Sequence, residues 1–220
     1  MLGFSSQGGT DYYQRGAEAV AILSPRRLIY PFTVEQVYSL RTGQFVLVSG
    51  LVFTGRDRLH KYLYEGGACP VNLREGAIYH CGPVVIREDN SWKVRAAGPT
   101  TSTREEAYLP RIMQEHGVRV VIGKGSMGRV MAKACHSAGC VYLHAVGGAA
   151  QVLADRVVAV KAVHFGEQFG LTEALWELEI KDFPAVVAID CRGRNLLQRV
   201  MNSSARARDK LLESGEKVVS

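Results

Sequence analysis

Nowhere in these 220 residues does an apolar run approach the roughly 20 residues that a helix needs to cross a bilayer. The N-terminus, "MLGFSSQGGTDYYQRG", lacks the basic flank and continuous apolar stretch of a secretory signal. The expectation is a cytoplasmic protein that does not use a membrane. Cysteine is scarce and never closely paired: Cys69, Cys81, Cys135, Cys140 and Cys191 are odd in number, widely spread, and form no C-x-x-C. This argues against a disulfide framework and a self-contained zinc site, and no metal ligand is assigned. The nucleotide loop G-x-x-x-x-G-K-[ST] is missing as well. "GKGSMG" (123–128) does satisfy G-x-G-x-x-G, but no acid stands about 20 residues further on to meet a ribose, so dinucleotide binding is not expected.

A positively charged face is also absent. Of the formal charge of +6, +4 arises from Arg192 onward, where seven Lys/Arg face three acids. A solvated basic tail accounts for that excess, and nucleic acid is not an expected partner. What remains has an ordinary composition, 47% hydrophobic and 22% charged, which fits one globular core.

The pattern divides the chain into an N-terminal extension (1–25), an ordered α/β domain (26–196) and the basic tail (197–220). Thr33-x-x-Gln36 predicts a capped short helix ending near Leu40, followed by the turn "TGQ". "FVLVSGLVF" (45–53) has the composition of a strand, with Gly50 at a possible bulge, and feeds a helix that Thr54 would cap. "AIYHCGPVVI" and "SWKVRAAG" are expected to pair as a hairpin about "REDN". After Gly98-Pro99 comes a helix capped by Ser102-x-x-Glu105 or Thr103-x-x-Glu106 and interrupted by Pro110. "VRVVI" and "CVYLHAV" read as strands around a helix with Met127, Val130, Met131 and Ala134 on one face. "LWELEIKDFPAVVAIDCRG" reads as a strand pair ending at Gly193. Strands alternating with helices, plus a hairpin, predict an α/β fold with a mixed sheet.

Three cations fall just after predicted strands and at or before helix starts: Arg56 in "FTGRD", Arg104 in "GPTTSTREE" and Lys124 in "VIGKGSMG". Such turns line the crevice at the carboxyl ends of the strands, where helix N-termini favour anions. Two guanidiniums and an ammonium beside the hydroxyls of Thr100 and Thr101 suit a small dicarboxylate. The same residues also fit plain helix caps and surface cations. His60, His80, His144 and His164 read as packed histidines, and Cys81, Cys135 and Cys191 as small buried hydrophobes.

"TGRDRLHKYL", "YHCGPVV", "GPTTSTR" and "GVRVVIGKGSMG", in that order, together with "GLTEALWELEIKDFPAVVAIDCRGRNL", resemble the C-terminal domain of class I iron-sulfur fumarases. They equally resemble the β subunits of two-chain fumarases and of L-tartrate dehydratase. The resemblance implies a swivelling β/β/α domain that is half of a hydro-lyase interconverting fumarate and malate. It implies a partner α subunit holding a [4Fe-4S] cluster, whose open iron acts as a Lewis acid on the substrate hydroxyl. Thr100 would be the base, with Arg56, Arg104 and Lys124 on the substrate carboxylates and Thr101 assisting. The expected assembly is an α2β2 hetero-oligomer, or a homodimer of this chain in isolation. The alternatives are an L-tartrate dehydratase β subunit and a non-catalytic dicarboxylate-binding module.

Overall fold

In the computed structural model, residues 24–216 are described. Nine strands and seven α-helices alternate over this span, giving the mixed α/β fold that the pattern predicts. The strands are β1 (Arg26–Ile29), β2 (Phe45–Thr54), β3 (Ala77–Tyr79), β4 (Val84–Glu88), β5 (Ser91–Ala96), β6 (Val120–Gly123), β7 (Val141–His144), β8 (Val157–His164) and β9 (Leu175–Ile189). The helices are α1 (Val34–Ser39), α2 (Asp57–Tyr64), α3 (Leu109–His116), α4 (Arg129–Ala138), α5 (Ala150–Ala154), α6 (Gly166–Phe169) and α7 (Leu196–Glu216), with a 3-10 helix over Ser102–Ala107.

β2, β3, β6 and β7 run parallel, and β9 lies antiparallel to both β7 and β2, so the pairing closes on itself as a five-strand ring. β1 extends the edge of β2, and β8 lines the first half of β9. Alternate residues of β3, β6 and β7 enter two different cores. Ala77, Tyr79, Val120, Ile122, Val141 and Leu143 point into the ring with Trp176 and Phe183. Ile78, Val121 and Tyr142 face outward, where Leu59 and Leu63 of α2, Ile112 and Met113 of α3, and Met131 and Cys135 of α4 cover them. Burial on both faces explains why these strands are continuously apolar.

Several boundaries depart from the sequence reading, each for a local reason. Thr54 does not cap α2; it ends β2 fully buried, donating to Ala174 O and accepting from Trp176 N, both at 3.0 Å. "AIYHCGPVVI" is two strands, because Gly82-Pro83 breaks it: β3 joins the ring and only β4 pairs with β5. The hairpin turn is Asp89-Asn90, both with positive φ. "LWELEIKDFPAVVAI" is a single strand. Its bend at Asp182 (φ 49) is absorbed because Ser49 Oγ accepts the Asp182 N–H at 2.9 Å, so the strand continues rather than turning back. Val130 is 58% exposed and off the buried face of α4. β8 was not anticipated, and the start of the basic tail is helical, with Asn195 Oδ1 accepting from Gln198 N at its first turn.

The capped α1 with Thr33 accepting from Gln36 N, the bulge beside Gly50, and the helix restarting at Leu109-Pro110 are as expected. The extension assigned to 1–25 falls almost wholly outside the described residues.

Candidate active site

At the carboxyl ends of β2, β3 and β6, three turns come together. Main-chain bonds tie them: Thr100 N donates to His80 O at 2.7 Å, Lys124 N to Thr100 O at 3.3 Å, and Ser102 N to Lys124 O at 3.1 Å. Thr101 and Lys124 form an isolated parallel bridge, and Cys81 bridges Pro99. The Gly98-Pro99 break therefore does more than start a helix. It folds the segment "PTTS" back as a short extension of the sheet, lying between the end of β3 and the end of β6.

Side chains link the same turns. Arg104 Nη2 donates to Thr100 Oγ1 at 3.1 Å and sits 3.1 Å from Asp57 Oδ2, so a carboxylate, a guanidinium and a hydroxyl form a chain. Arg56 begins α2 with no side-chain cap. Its Nε lies 3.3 Å from Glu173 Oε1, within ion-pair range but not aligned as a hydrogen bond, and its Nη1 lies close over Gly82. Lys124 makes no ion pair or side-chain hydrogen bond among the described residues; its stem passes over Gly147. Arg104 and Asp57 are about half exposed and Thr101 is exposed, whereas Arg56 is largely covered and Lys124 partly so, which leaves the Arg104 side open.

The structure corrects one premise of the sequence reading, that helix N-termini await a substrate anion. Two of those termini are occupied by the chain's own carboxylates. Glu173 Oε2 accepts from Arg58 N in the first turn of α2 at 3.1 Å. Glu106 accepts from Gly128 N and Met131 N at the start of α4, both at 2.9 Å. "GKGSMG" thus presents its helix start to Glu106, which leaves no place there for a phosphate. The expected capping boxes also fail. Ser102 and Thr103 instead bond to His80 and to Ser126 O, and Glu105 bonds to His60.

Sequence reasoning missed the polar cluster behind the turns. His60 Nδ1 and Glu105 Oε2 are hydrogen-bonded at 2.7 Å, and His80 Nδ1 and Ser102 Oγ at 2.8 Å. The two imidazoles meet edge to face, 5.2 Å between centroids. All four residues are completely buried. Burial, reinforced by the neighbouring His60, holds the His80 imidazole well below its ordinary pKa, so it stays neutral. One signal was available: each of these residues, or the glycine packed against it, adjoins a site residue in sequence.

A [4Fe-4S] cluster does not fit the cysteines of this chain. Cys81, Cys135, Cys140 and Cys191 are buried and Cys69 is half-buried. Burial pushes the Cys81 thiol up to about 12, and a hydrogen bond with Cys140 together with burial holds Cys135 well above its usual value. Iron ligands must be thiolates, which such surroundings disfavour.

Comparison with known proteins places these features in a wider set. The family model described as "Fumarase C-terminus" matches residues 13–200. Over 185 residues the chain is 48% identical to a Geobacillus stearothermophilus protein named "Putative fumarate hydratase class I", covering 82% of this chain and 36% of that protein. The chain thus spans about a third of that relative's length. It is 32% identical over 188 residues to the L(+)-tartrate dehydratase subunit beta of Escherichia coli K12, covering 84% of this chain and 93% of that subunit. A Methanocaldococcus jannaschii protein named "Putative L(+)-tartrate dehydratase subunit beta" is 35% identical over 173 residues, covering 76% and 89%.

Proposed function

The chain belongs to the fumarase C-terminus family, and from that premise we propose that it is the β half of a hydro-lyase that interconverts fumarate and malate. In this reading Thr100 moves the proton on the carbon beside a carboxylate. Arg56, Arg104 and Lys124 hold the two carboxylates, and Thr101 helps to position the substrate. The observation that carries the proposal is the 3.1 Å hydrogen bond from Arg104 to Thr100 Oγ1, at the point where all three turns meet. A threonine hydroxyl is a very weak base. A guanidinium donating to its oxygen favours negative charge there, which is what proton abstraction requires.

The remaining roles follow from what each cation already contacts. Glu173 approaches the Nε edge of Arg56, which leaves the terminal nitrogens to grip a carboxylate in two parallel hydrogen bonds. Lys124, whose side chain has no hydrogen-bond or ion-pair partner among the described residues, acts as a point charge. Helix termini contribute little, since Glu106 and Glu173 already satisfy them. The open, half-exposed setting of Arg104 supports a site completed by another chain, and a relative named as a subunit beta supports the same view. The [4Fe-4S] cluster belongs, in this proposal, to that α subunit, and the pair assembles as α2β2. The chain works in the cytoplasm. Fumarate is preferred to L-tartrate as substrate because identity to the fumarate hydratase relative is 48%, against 32% and 35% for the tartrate dehydratase subunits.

Co-purification with a cluster-bearing partner, followed by fumarate and L-tartrate assays, tests the proposal. Arg56→Ala and Lys124→Ala in the assembled enzyme should each raise KM by roughly 10–100-fold, the loss expected when one charged contact to a carboxylate disappears. Unchanged KM in both variants, with binding of malate to the isolated chain unaffected by the partner, would favour the non-catalytic module.

A further inference from the structure

Six polar or charged residues are buried among the described residues: Thr54, His60, His80, Ser102, Glu105 and Asp190. Two of them are saturated. Thr54 donates one bond and accepts another. The Asp190 carboxylate accepts from Thr42 N, Arg192 N, Arg194 N and Arg194 Nε. The other four form the cluster behind the cation turns, and they are not saturated: His60 Nε2, His80 Nε2 and Glu105 Oε1 are buried with no hydrogen-bond partner. Leaving buried polar atoms unpaired is destabilising, and apolar side chains of similar volume commonly do as well or better in such a place. Stability does not account for the cluster.

Its position does. His60 lies on α2, one turn after Arg56; Ser102 and Glu105 directly follow Thr101 and Arg104; His80 directly follows β3, and its carbonyl holds Thr100 N. The two glycines preceding Arg56 and Lys124 pack directly on the cluster. A Cβ on Gly55 would lie 2.6 Å from His60 Nε2, and one on Gly123 would overlap Ser102 Oγ and lie 2.9 Å from His80 Nδ1. The cluster thus touches every turn that carries a cation or the threonine pair: side-chain bonds join α2 and the end of β3 to the 3-10 helix, and Gly123 packs against it.

We propose that His60, Glu105, His80 and Ser102 are positioning residues, a buried polar keystone that sets Thr100 and Arg104 in register with Arg56 and Lys124. The proposal rests on the reading of those four as the substrate site. The His60–Glu105 bond fixes the distance from α2 to the 3-10 helix, and hence the approach of Arg104 to both Asp57 and Thr100. The His80–Ser102 bond fixes that helix to the end of β3. Neither pair needs to touch substrate. Directional bonds hold the turns at one separation, whereas apolar contacts would let them slide.

The test compares Glu105→Met/His60→Leu, His60→Asn and Ser102→Ala in the full chain. Melting temperature and amide hydrogen exchange of residues 100–105 and 124 are measured on each, and kcat and KM on each assembled with the partner. The double variant should melt no lower than wild type, yet exchange at least about tenfold faster over 100–105 and lose at least about tenfold in kcat. His60→Asn, whose amide can still donate near the position of Nδ1, should recover most of both. Should the double variant fail to fold, Ser102→Ala carries the same comparison. A folded variant with unaltered exchange and kcat would overturn the proposal. If the wild-type assembly itself shows no hydro-lyase activity, the functional reading fails, and the exchange measurement still decides whether the cluster positions the turns.

Discussion

Thr100 and His80 show how much a single residue's surroundings decide. Thr100 is one of two adjacent threonines with identical chemistry, but only its hydroxyl receives the Arg104 guanidinium, while Thr101 lies opposite Lys124 in a parallel bridge whose hydrogen bonds are made by Thr100 O and Ser102 N. Sequence spacing could nominate both and separate them only by resemblance; the hydrogen bond gives the two hydroxyls different surroundings. His80 illustrates the opposite case, a residue whose burial was legible and whose partner was not. Its folded-state pKa is lowered, so on acidification the unfolded chain takes up the proton more readily than the native one. The stability His80 contributes is therefore complete above its ordinary pKa of 6.5 and is lost as the pH falls below it. The slope is about 1.4 kcal/mol per pH unit for one such group. His144, held down more weakly by partial burial, acts in the same direction. Urea midpoints between about pH 7.5 and pH 5 should fall more steeply for wild type than for His80→Asn; equal slopes would contradict the assignment.

At the scale of elements, most strands were legible, β8 and the bounds of β3, β4 and β9 excepted, and the helix starts largely were not. β6 and β7 announce themselves because burial on both faces makes them almost wholly apolar, and α1 does so through a local Thr-Gln cap. The 3-10 helix, α2 and α4 take their terminal partners from distant parts of the chain. Ser102 is drawn to His80 across 22 residues, and Glu106 to the start of α4 across an equal interval. A capping box is a local motif, so it cannot reveal that its own side chains are engaged elsewhere. β9 was misdivided for a related reason: Lys181-Asp182 has turn composition, but Ser49 on β2 satisfies the Asp182 N–H. Two variants check this account. Glu106→Ala removes the acceptor for two N–H groups of α4 and should destabilise the chain by about 1–2 kcal/mol, measured by urea unfolding. Gly123→Ala forces the Ser102 hydroxyl aside. It should disturb activity in the assembled enzyme more than the stability of the ring, and a fall in stability without loss of kcat would count against it.

For the molecule as a whole, the ring of five strands encloses one core and the candidate site is the rim of one end. Two cores, one within the ring and one beneath α2, α3 and α4, leave the rim turns to be positioned by main-chain bonds and by the buried polar cluster. The family was legible from ordered motifs covering much of the chain, because those motifs include the rim turns as well as α2, β6 and β9. The basic excess was legible as charge but not as the helix α7, whose exposed side chains put it outside both cores after Leu197. Charge at that helix should contribute little to the proposed chemistry, which is assigned to Thr100. The most direct test assembles the chain with the cluster-bearing partner proposed for it and compares fumarate hydration by wild type, Thr100→Ser and Thr100→Ala. Loss of the proton-transferring hydroxyl should lower kcat by roughly 10²–10⁴-fold in Thr100→Ala with KM little changed, while Thr100→Ser, which keeps the hydroxyl, stays much closer to wild type. A Thr100→Ala enzyme with wild-type kcat would contradict the account.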